Sequence, residues 1–494
     1  MSTNVSEVSK VSDALEVPEV SIERIWGVPK NAWLALGLVV MVFIGNRYNV
    51  APLAWVAAVP LLLYMRQRSG WRDGVVLFLA LQVWGFFALL KIVTDPLPVT
   101  FAFMFSIPVA LSTYVLYEVF EVMRRRLGDG WGVVLFPALT VLDEWIASYT
   151  SPMGSWGSLA YTQIDNLALM QLASVTGLTG ISALLACTSV LVAVLIASAD
   201  RRRYFAPIAI VVILAVAAHG FGALRLEQTI EGPMVSVAGV VSGRAINGGM
   251  KADDEAEQQA LFTLSQNAAE RGAELIVWNE TATIVSAARE AAMVERGQQL
   301  ASNYGVDLVM AYGVPQADTG RFANKYVWLT PQGGIETYLK HHPVPGEPSI
   351  AGTEPLVVHE RPYGQAAGAI CYDYDFPAMG KTHAKLGAGL VVVPSADWKG
   401  IDPYHTQMAS VRGIEGGFSV VRPVWASTSG AYDAYGRARA TMSYYEGESL
   451  FIARVPTTRI DTLYSRIGEV VAPLALICLL AGLVRLLLNR RSAG

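Results

Sequence analysis

Ala366-Ala367-Gly368-Ala369-Ile370-Cys371-Tyr372-Asp373 is a short apolar run that ends on a thiol and a carboxylate. It reads as a buried strand with polar chemistry at its end. Runs of the same kind lie at residues 235–241, 274–278, 306–312 and 390–394. Between them come helical patterns at 253–271, 287–304 and 404–415. Strands alternating with helices argue for an α/β domain over residues 234–456. A segment of that length can hold a core of its own. The chain has no evident internal repeat and no low-complexity segment.

Outside this domain the sequence changes character. Of 494 residues, 53% are hydrophobic and only 16% charged, which places the chain in the membrane class. The net charge of -4 gives no reason to expect a nucleic acid partner. A span needs about 20 mostly apolar residues. Residues 75–92, 98–122, 131–147, 178–199, 204–224 and 470–488 meet that need. Two earlier runs, 32–44 and 50–64, are short and read as two tilted spans or one re-entrant hairpin. The expectation is a transmembrane region over 31–226 with seven spans, and a final span within 468–489. Residues 1–30 are polar and lack the basic start and cleavage site of a signal peptide, so they read as a cytoplasmic tail. Arg66, Arg68 and Arg72, then Arg124–Arg126, Arg201–Arg203, and Arg490 with Arg491 follow every second span, and the loops between them are nearly free of Lys and Arg. The positive-inside rule puts these clusters and both termini in the cytoplasm, and the α/β domain on the outer face.

Cys371 has no disulfide partner in its own region, because Cys187 and Cys478 lie inside apolar segments. A thiolate attacks esters and amides, but a free thiol is mostly protonated near neutrality. It needs a base, which Glu280 in Trp278-Asn279-Glu280-Thr281 can supply. Lys340 in Tyr338-Leu339-Lys340-His341-His342 can favour the thiolate and hold an oxyanion. Spacing alone does not join these three. The cysteine also reads as a small buried side chain, Glu280 as a helix-start carboxylate and Lys340 as a surface charge. The six histidines show no metal-ligand spacing, so no metal is expected. Asp143-Glu144 lies in an apolar span, where a carboxylate is costly and either functional or able to reach water.

The blocks around Glu280, Lys340 and Cys371 occur in an order that resembles the nitrilase (carbon–nitrogen hydrolase) superfamily. Pro394-Ser395-Ala396-Asp397-Trp398 and residues 412–417 and 429–437 are similar to it as well. Placed after a multispan region, with residues 51–61, 156–163 and 174–180, the chain resembles the apolipoprotein N-acyltransferase family. The resemblance implies a nitrilase-like αββα sandwich on a helical bundle of about eight spans, in a bacterial inner membrane. It implies an acyltransferase that works through a thioester on Cys371, with Glu280 as base and Lys340 at the oxyanion. Glu347, Tyr372, Asp373 and Trp398 are implied as substrate-contacting or supporting residues. The implied partners are a phospholipid donor and a lipid-modified lipoprotein acceptor, with no cofactor and a monomeric enzyme. Four features depart from the family pattern. Val344-Pro345-Gly346-Glu347 lacks a Phe, and Asp373 stands where a Glu is usual. Residues 242–250 lack a Trp, and Ala147 and Ser148 stand where an Arg is usual after Glu144. The alternative is a membrane-tethered amidase or acyltransferase with another acceptor.

Overall fold

The computed structural model describes residues 25–243, 251–317 and 319–491. Most of the expected tail and most of the 242–250 loop lie outside the described residues. Six helices among the described residues are long and apolar enough to cross a membrane: Gly70–Leu90, Thr100–Leu127, Asp129–Thr150, Ala173–Ala197, Arg202–Leu226 and Val471–Asn489. That is fewer than the expected count of about eight. The difference lies in the two early runs. The first is a 13-residue helix, Lys30–Val42, about 20 Å long at 1.5 Å per residue. The second is broken into a 3-10 turn, Ala51–Trp55, and a helix, Val59–Gln67, each with a proline in its first turn. Proline suits a first turn and interrupts a continuous helix.

This hairpin is nonetheless pinned at both ends of Gly70–Leu90. Lys30 pairs with Asp73 at 2.6 Å at one end. At the other, Lys91 Nζ donates to the carbonyls of Val42 (2.8 Å), the last residue of the helix, and of Ile44 (3.2 Å) and Gly45 (2.6 Å) in the loop that follows. Two arginine clusters meet at the first end, where Asp129 accepts from Arg66 at 2.8 Å and from Arg124 at 2.9 Å. Glu144 is half-buried and bonded to the protein. It accepts from Ser158 Oγ (2.8 Å), Leu159 N–H (2.8 Å) and Ser182 Oγ (2.7 Å), fastening the loop after its helix back onto the bundle.

The α/β domain holds two six-stranded sheets. The first runs Leu450–Pro456, Met234–Val240, Leu275–Trp278, Asp307–Gln316, Arg321–Leu329, Ile335–Leu339. The second runs Ala438–Ser443, Thr428–Tyr432, Ser419–Arg422, Leu390–Val392, Gly364–Gly368, His359–Arg361. Their inner faces share one apolar core, in which Val235, Val277 and Val309 meet Ala366, Ile370, Val392 and Val421. Helices Glu255–Glu270 and Glu290–Tyr304 cover the outer face of the first sheet through Phe262, Leu300 and Met310. Helices Pro377–Lys385 and Tyr404–Gly416 cover the second through Met379, Ala409 and Val391. The result is the expected αββα sandwich.

Helix Tyr404–Gly416 is buried on all sides, Gln407 alone excepted. One face lies on the second sheet. The other joins a cluster in which Tyr404, Met408, Val411 and Ile414 pack with Tyr161, Leu169, Leu178 and Ile181 of the bundle. The membrane part is thus the floor of the α/β domain.

Gly417 ends this helix in the left-handed region at φ +77°, and a Cβ there would lie 1.7 Å from the carbonyl oxygen of Ile460. Gly387 has φ +92° but open space around it. Gly417→Ala should therefore cost well over the ~1 kcal/mol expected of Gly387→Ala from backbone conformation alone. Thermal unfolding of the two full-length variants in detergent measures this, with Gly417→Ala melting clearly lower.

Candidate active site

Glu280, Lys340 and Cys371 each follow the end of a core strand, and those ends converge. Glu280 comes two residues after Leu275–Trp278, Lys340 directly after Ile335–Leu339, and Cys371 shortly after Gly364–Gly368. None is a surface group: Lys340 is 1% exposed, Cys371 3% and Glu280 4%. Lys340 Nζ donates to Glu280 Oε1 at 2.7 Å and to Glu347 Oε2 at 2.7 Å. Asn324 Nδ2 donates to the same two carboxylates, at 2.7 Å and 2.9 Å. The Val344 N–H adds a bond of 3.0 Å to Glu347. The short loop without Phe therefore still delivers Glu347 onto Lys340.

Cys371 and Glu280 flank one residue, Ala396. Its N–H donates to Glu280 Oε2 at 2.9 Å, and its carbonyl oxygen lies 3.7 Å from Cys371 Sγ. Both groups sit on strained turns: Cys371 has φ +46° and Thr281, after Glu280, φ +43°. Such conformations cost of order 1–3 kcal/mol and persist where surroundings enforce them. Here the Cys371 N–H is held by the Pro394 carbonyl at 2.9 Å.

Asp373 is fully buried and closes the turn onto Lys340's strand. Its Oδ2 accepts from Tyr338 OH (2.7 Å) and Ile370 N–H (2.9 Å). Its Oδ1 accepts from the N–H groups of His341 (3.1 Å) and His342 (2.7 Å). A shorter carboxylate than the family's Glu thus accepts four hydrogen bonds without touching Cys371. Tyr372 OH donates to the Pro152 carbonyl at 2.7 Å, and Trp398 Nε1 to the Ile92 carbonyl at 2.6 Å. These two residues, expected near substrate, tie the site to the loops of the membrane part.

A second charged group stands behind the sulfur. Arg422 Nη2 lies 3.7 Å from Cys371 Sγ, and Arg422 binds both oxygens of Asp397 at 2.8 and 3.0 Å. His405 joins Asp397 (2.7 Å) to Asp375 (2.8 Å), and Asp375 takes the indole N–H of Trp156 from the bundle at 2.7 Å. The atoms of Cys371, Asp397 and His405 cluster closely enough for a metal ion. Arg422 and His405 already occupy the Asp397 oxygens, which leaves a cation little to bind. Asn324, Arg422, His405 and Asp375 were not singled out from sequence. An arginine in the apolar run Val420-Val421-Arg422 was the available sign, since a buried charge needs a partner.

The charges are tuned by burial and by neighbours. Burial opposes the Lys340 ammonium, but Glu280 and Glu347 outweigh it and hold its pKa above the usual lysine value. Burial lifts Glu280 above the ordinary carboxylate range against the pull of Lys340. Glu347, although buried, is kept low by Lys340. Burial, then Glu280 and Asp397, push the Cys371 thiol well up, with Arg422 and Lys340 pulling the other way. His405 resists burial between two carboxylates and rises to about 9. The resting site therefore holds a neutral thiol beside a carboxylate that binds a proton more readily than usual.

Residues 37–191 match the family described as the apolipoprotein N-acyltransferase N-terminal domain, and residues 240–460 match carbon-nitrogen hydrolase. The apolipoprotein N-acyltransferase of Geobacter metallireducens is 26% identical over 467 residues, which is 86% of this chain and 89% of that one. The enzyme of that name from Methylococcus capsulatus is 28% identical over 351 residues, 64% of this chain and 67% of its own. Among solved structures, an amidase from Nesterenkonia sp. aligns with a TM-score of 0.40 at 20% identity, over 47% of this chain and 93% of that one. With matches at both its membrane part and its α/β domain, the chain is similar to the apolipoprotein N-acyltransferases over most of its length.

Proposed function

We propose that this protein moves an acyl chain from a membrane phospholipid, through a thioester on Cys371, to the α-amine of a diacylglyceryl-cysteine at the N-terminus of a lipoprotein. The observation that carries this reading is the buried set of Glu280, Lys340 and Cys371, standing directly over a membrane bundle. Glu280 takes the thiol proton as Cys371 Sγ attacks the ester carbonyl. Lys340 Nζ, already held by two carboxylates, donates to the oxyanion that forms. Collapse breaks the ester C–O bond, and Glu280 returns the proton to the departing lysophospholipid hydroxyl. In the second half the amine attacks the thioester, Glu280 takes its proton, and the thiol re-forms as the amide is released. Glu347 and Asn324 hold Lys340 and Glu280 in register, and Asp373 holds the strand end that carries Lys340 beside the Cys371 turn. Arg422 offers the thiolate a fixed positive charge. The alternation of arginine clusters supports a catalytic domain on the outer face of a bacterial inner membrane with both termini in the cytoplasm.

Full-length protein in micelles, given phospholipid with a labelled acyl chain, should acquire hydroxylamine-sensitive label that passes to a diacylglyceryl peptide. Cys371→Ala should take none, and residual label would mean another nucleophile. Glu280→Gln and Lys340→Met should each slow labelling by about 10²-fold or more, the usual range for a lost general base or oxyanion donor.

Glu280 acts as a base only when ionised, and its pKa is raised. Labelling should therefore fall as pH drops through a value above the ordinary carboxylate range of about 4. A pH-rate profile whose acid limb sits at or below that range would contradict the role given to Glu280.

A further inference from the structure

The loop Phe43–Val50 and the stretch after Trp398 meet at the end of the bundle nearest the site. Lys91 binds the Gly45 carbonyl at 2.6 Å, two residues before Arg47. The next residue, Ile92, accepts from Trp398 Nε1 at 2.6 Å, directly before Lys399. Consecutive residues at the end of one membrane helix thus hold the two segments that carry Arg47 and Lys399. The loop is a built structure. Its Gly45 N–H binds Asn49 Oδ1 at 2.8 Å, Asn49 Nδ2 binds the Thr162 carbonyl at 2.7 Å, and the Val50 N–H binds the Phe43 carbonyl at 2.8 Å. Asn46 and Tyr48 are both held at positive φ, 53° and 60°.

What this scaffold presents is two cations, each against an aromatic ring. The Arg47 guanidinium lies 5.3 Å from the Tyr48 ring centre, and the Lys399 ammonium 5.6 Å from that of Tyr445. Burial and Asp402 lift the Tyr445 phenol to about 12, and Arg47 is close enough to pull against them. Neither cation has a carboxylate at ion-pair distance among the described residues. Asp402 Oδ1 accepts from Ser427 Oγ at 2.9 Å and from the Thr428 N–H at 2.7 Å. Lys399 follows by two residues the Asp397 whose carboxylate is 3.9 Å from Cys371 Sγ. Unpaired cations flanked by exposed aromatic rings, where membrane helices end, suit a phosphate at the headgroup level.

We propose that Arg47 and Lys399 bind the phosphodiester of the glycerophospholipid donor, with Tyr48 and Tyr445 framing the headgroup. In such a lipid the phosphate and an acyl ester sit on neighbouring carbons of one glycerol. A phosphate anchor beside the site therefore sets which carbonyl comes before Cys371. The assignment rests on the acyl-transfer reading above and adds to it the group by which the donor is recognised.

The test uses full-length protein in dodecylmaltoside micelles with two labelled donors of the same acyl chains, phosphatidylglycerol and phosphate-free diacylglycerol. The Arg47→Gln, Lys399→Gln double variant should raise the half-saturating fraction of phosphatidylglycerol by about tenfold, the loss expected for a charge-assisted contact. Its maximal labelling rate should stay close to wild type, and its use of diacylglycerol should not change. The charge-keeping Arg47→Lys, Lys399→Arg variant should behave as wild type. An unchanged half-saturation, or an equal loss with both donors, overturns the proposal. Competition by inorganic phosphate as strong as by phosphatidylglycerol also overturns it, by assigning the site to free phosphate. A second measurement separates this site from the chemistry. Cys371→Ala protein should bind a fluorescent short-chain phosphatidylglycerol, and less of it once Arg47 and Lys399 are changed to Gln. If that dependence holds while wild type takes no label, the acyl-transfer reading falls and the phosphate site stands.

Discussion

An ammonium buried between two carboxylates is the constraint on which the rest of this site depends. Lys340 cannot be charged inside the sandwich unless Glu280 and Glu347 stay within hydrogen-bond reach. Leaving either charge alone there would cost several kcal/mol. Three strand ends and the Val344–Glu347 turn are therefore not free to drift independently. Asn324 bridges the carboxylates, and the Ala396 N–H fixes the other oxygen of Glu280. The sulfur is placed relative to that assembly by a strained turn, so the geometry of attack is set before substrate arrives.

The two charged groups around the sulfur differ in kind. The Lys340 group carries one more negative than positive charge, and it pushes the thiol toward neutrality at rest. The Arg422, Asp397, His405 and Asp375 group balances its charges, with both His405 nitrogens directed at carboxylates. Nδ1 also lies 2.9 Å from Arg422 Nη2. The two groups therefore act on the sulfur with different net charge.

Much of the fold was legible in the sequence, for reasons that depend on local pattern. Buried strands such as 366–371 are continuous apolar runs, and the long spans exceed what a soluble helix needs. The early pair stayed open between two tilted spans and a hairpin because hydropathy does not register that Pro52 and Pro60 start new turns, or that Val59–Gln67 is almost wholly enclosed by protein. For the site, Glu280, Lys340 and Cys371 carried recognisable neighbours. Asn324 lies within a strand, and its role is created only when Arg321–Leu329 pairs with Ile335–Leu339. His405 lies in the first turn of a helix that the sequence shows only as a helical pattern. Tyr372 and Trp398 drew notice for their place beside the nucleophile and its loop, yet what they hold is backbone of the membrane part, some 220 and 306 residues earlier in the chain. No local pattern encodes a partner at that distance.

The enclosure of helix Tyr404–Gly416 bears on how such a protein can change over evolutionary time. Its two faces answer to different halves of the chain, so a substitution on one must be tolerated by a sheet and on the other by membrane helices. The sandwich is therefore not a portable cassette. A domain borrowed from a relative would arrive with an underside shaped for another bundle, with the Asp375, Tyr372 and Trp398 links needing to be rebuilt at once. Divergence by swapping whole halves is thereby disfavoured. Novelty in this architecture is easier to reach through its rim, where exposed side chains such as Phe43, Tyr48 and Val50 bear none of the weight of the core.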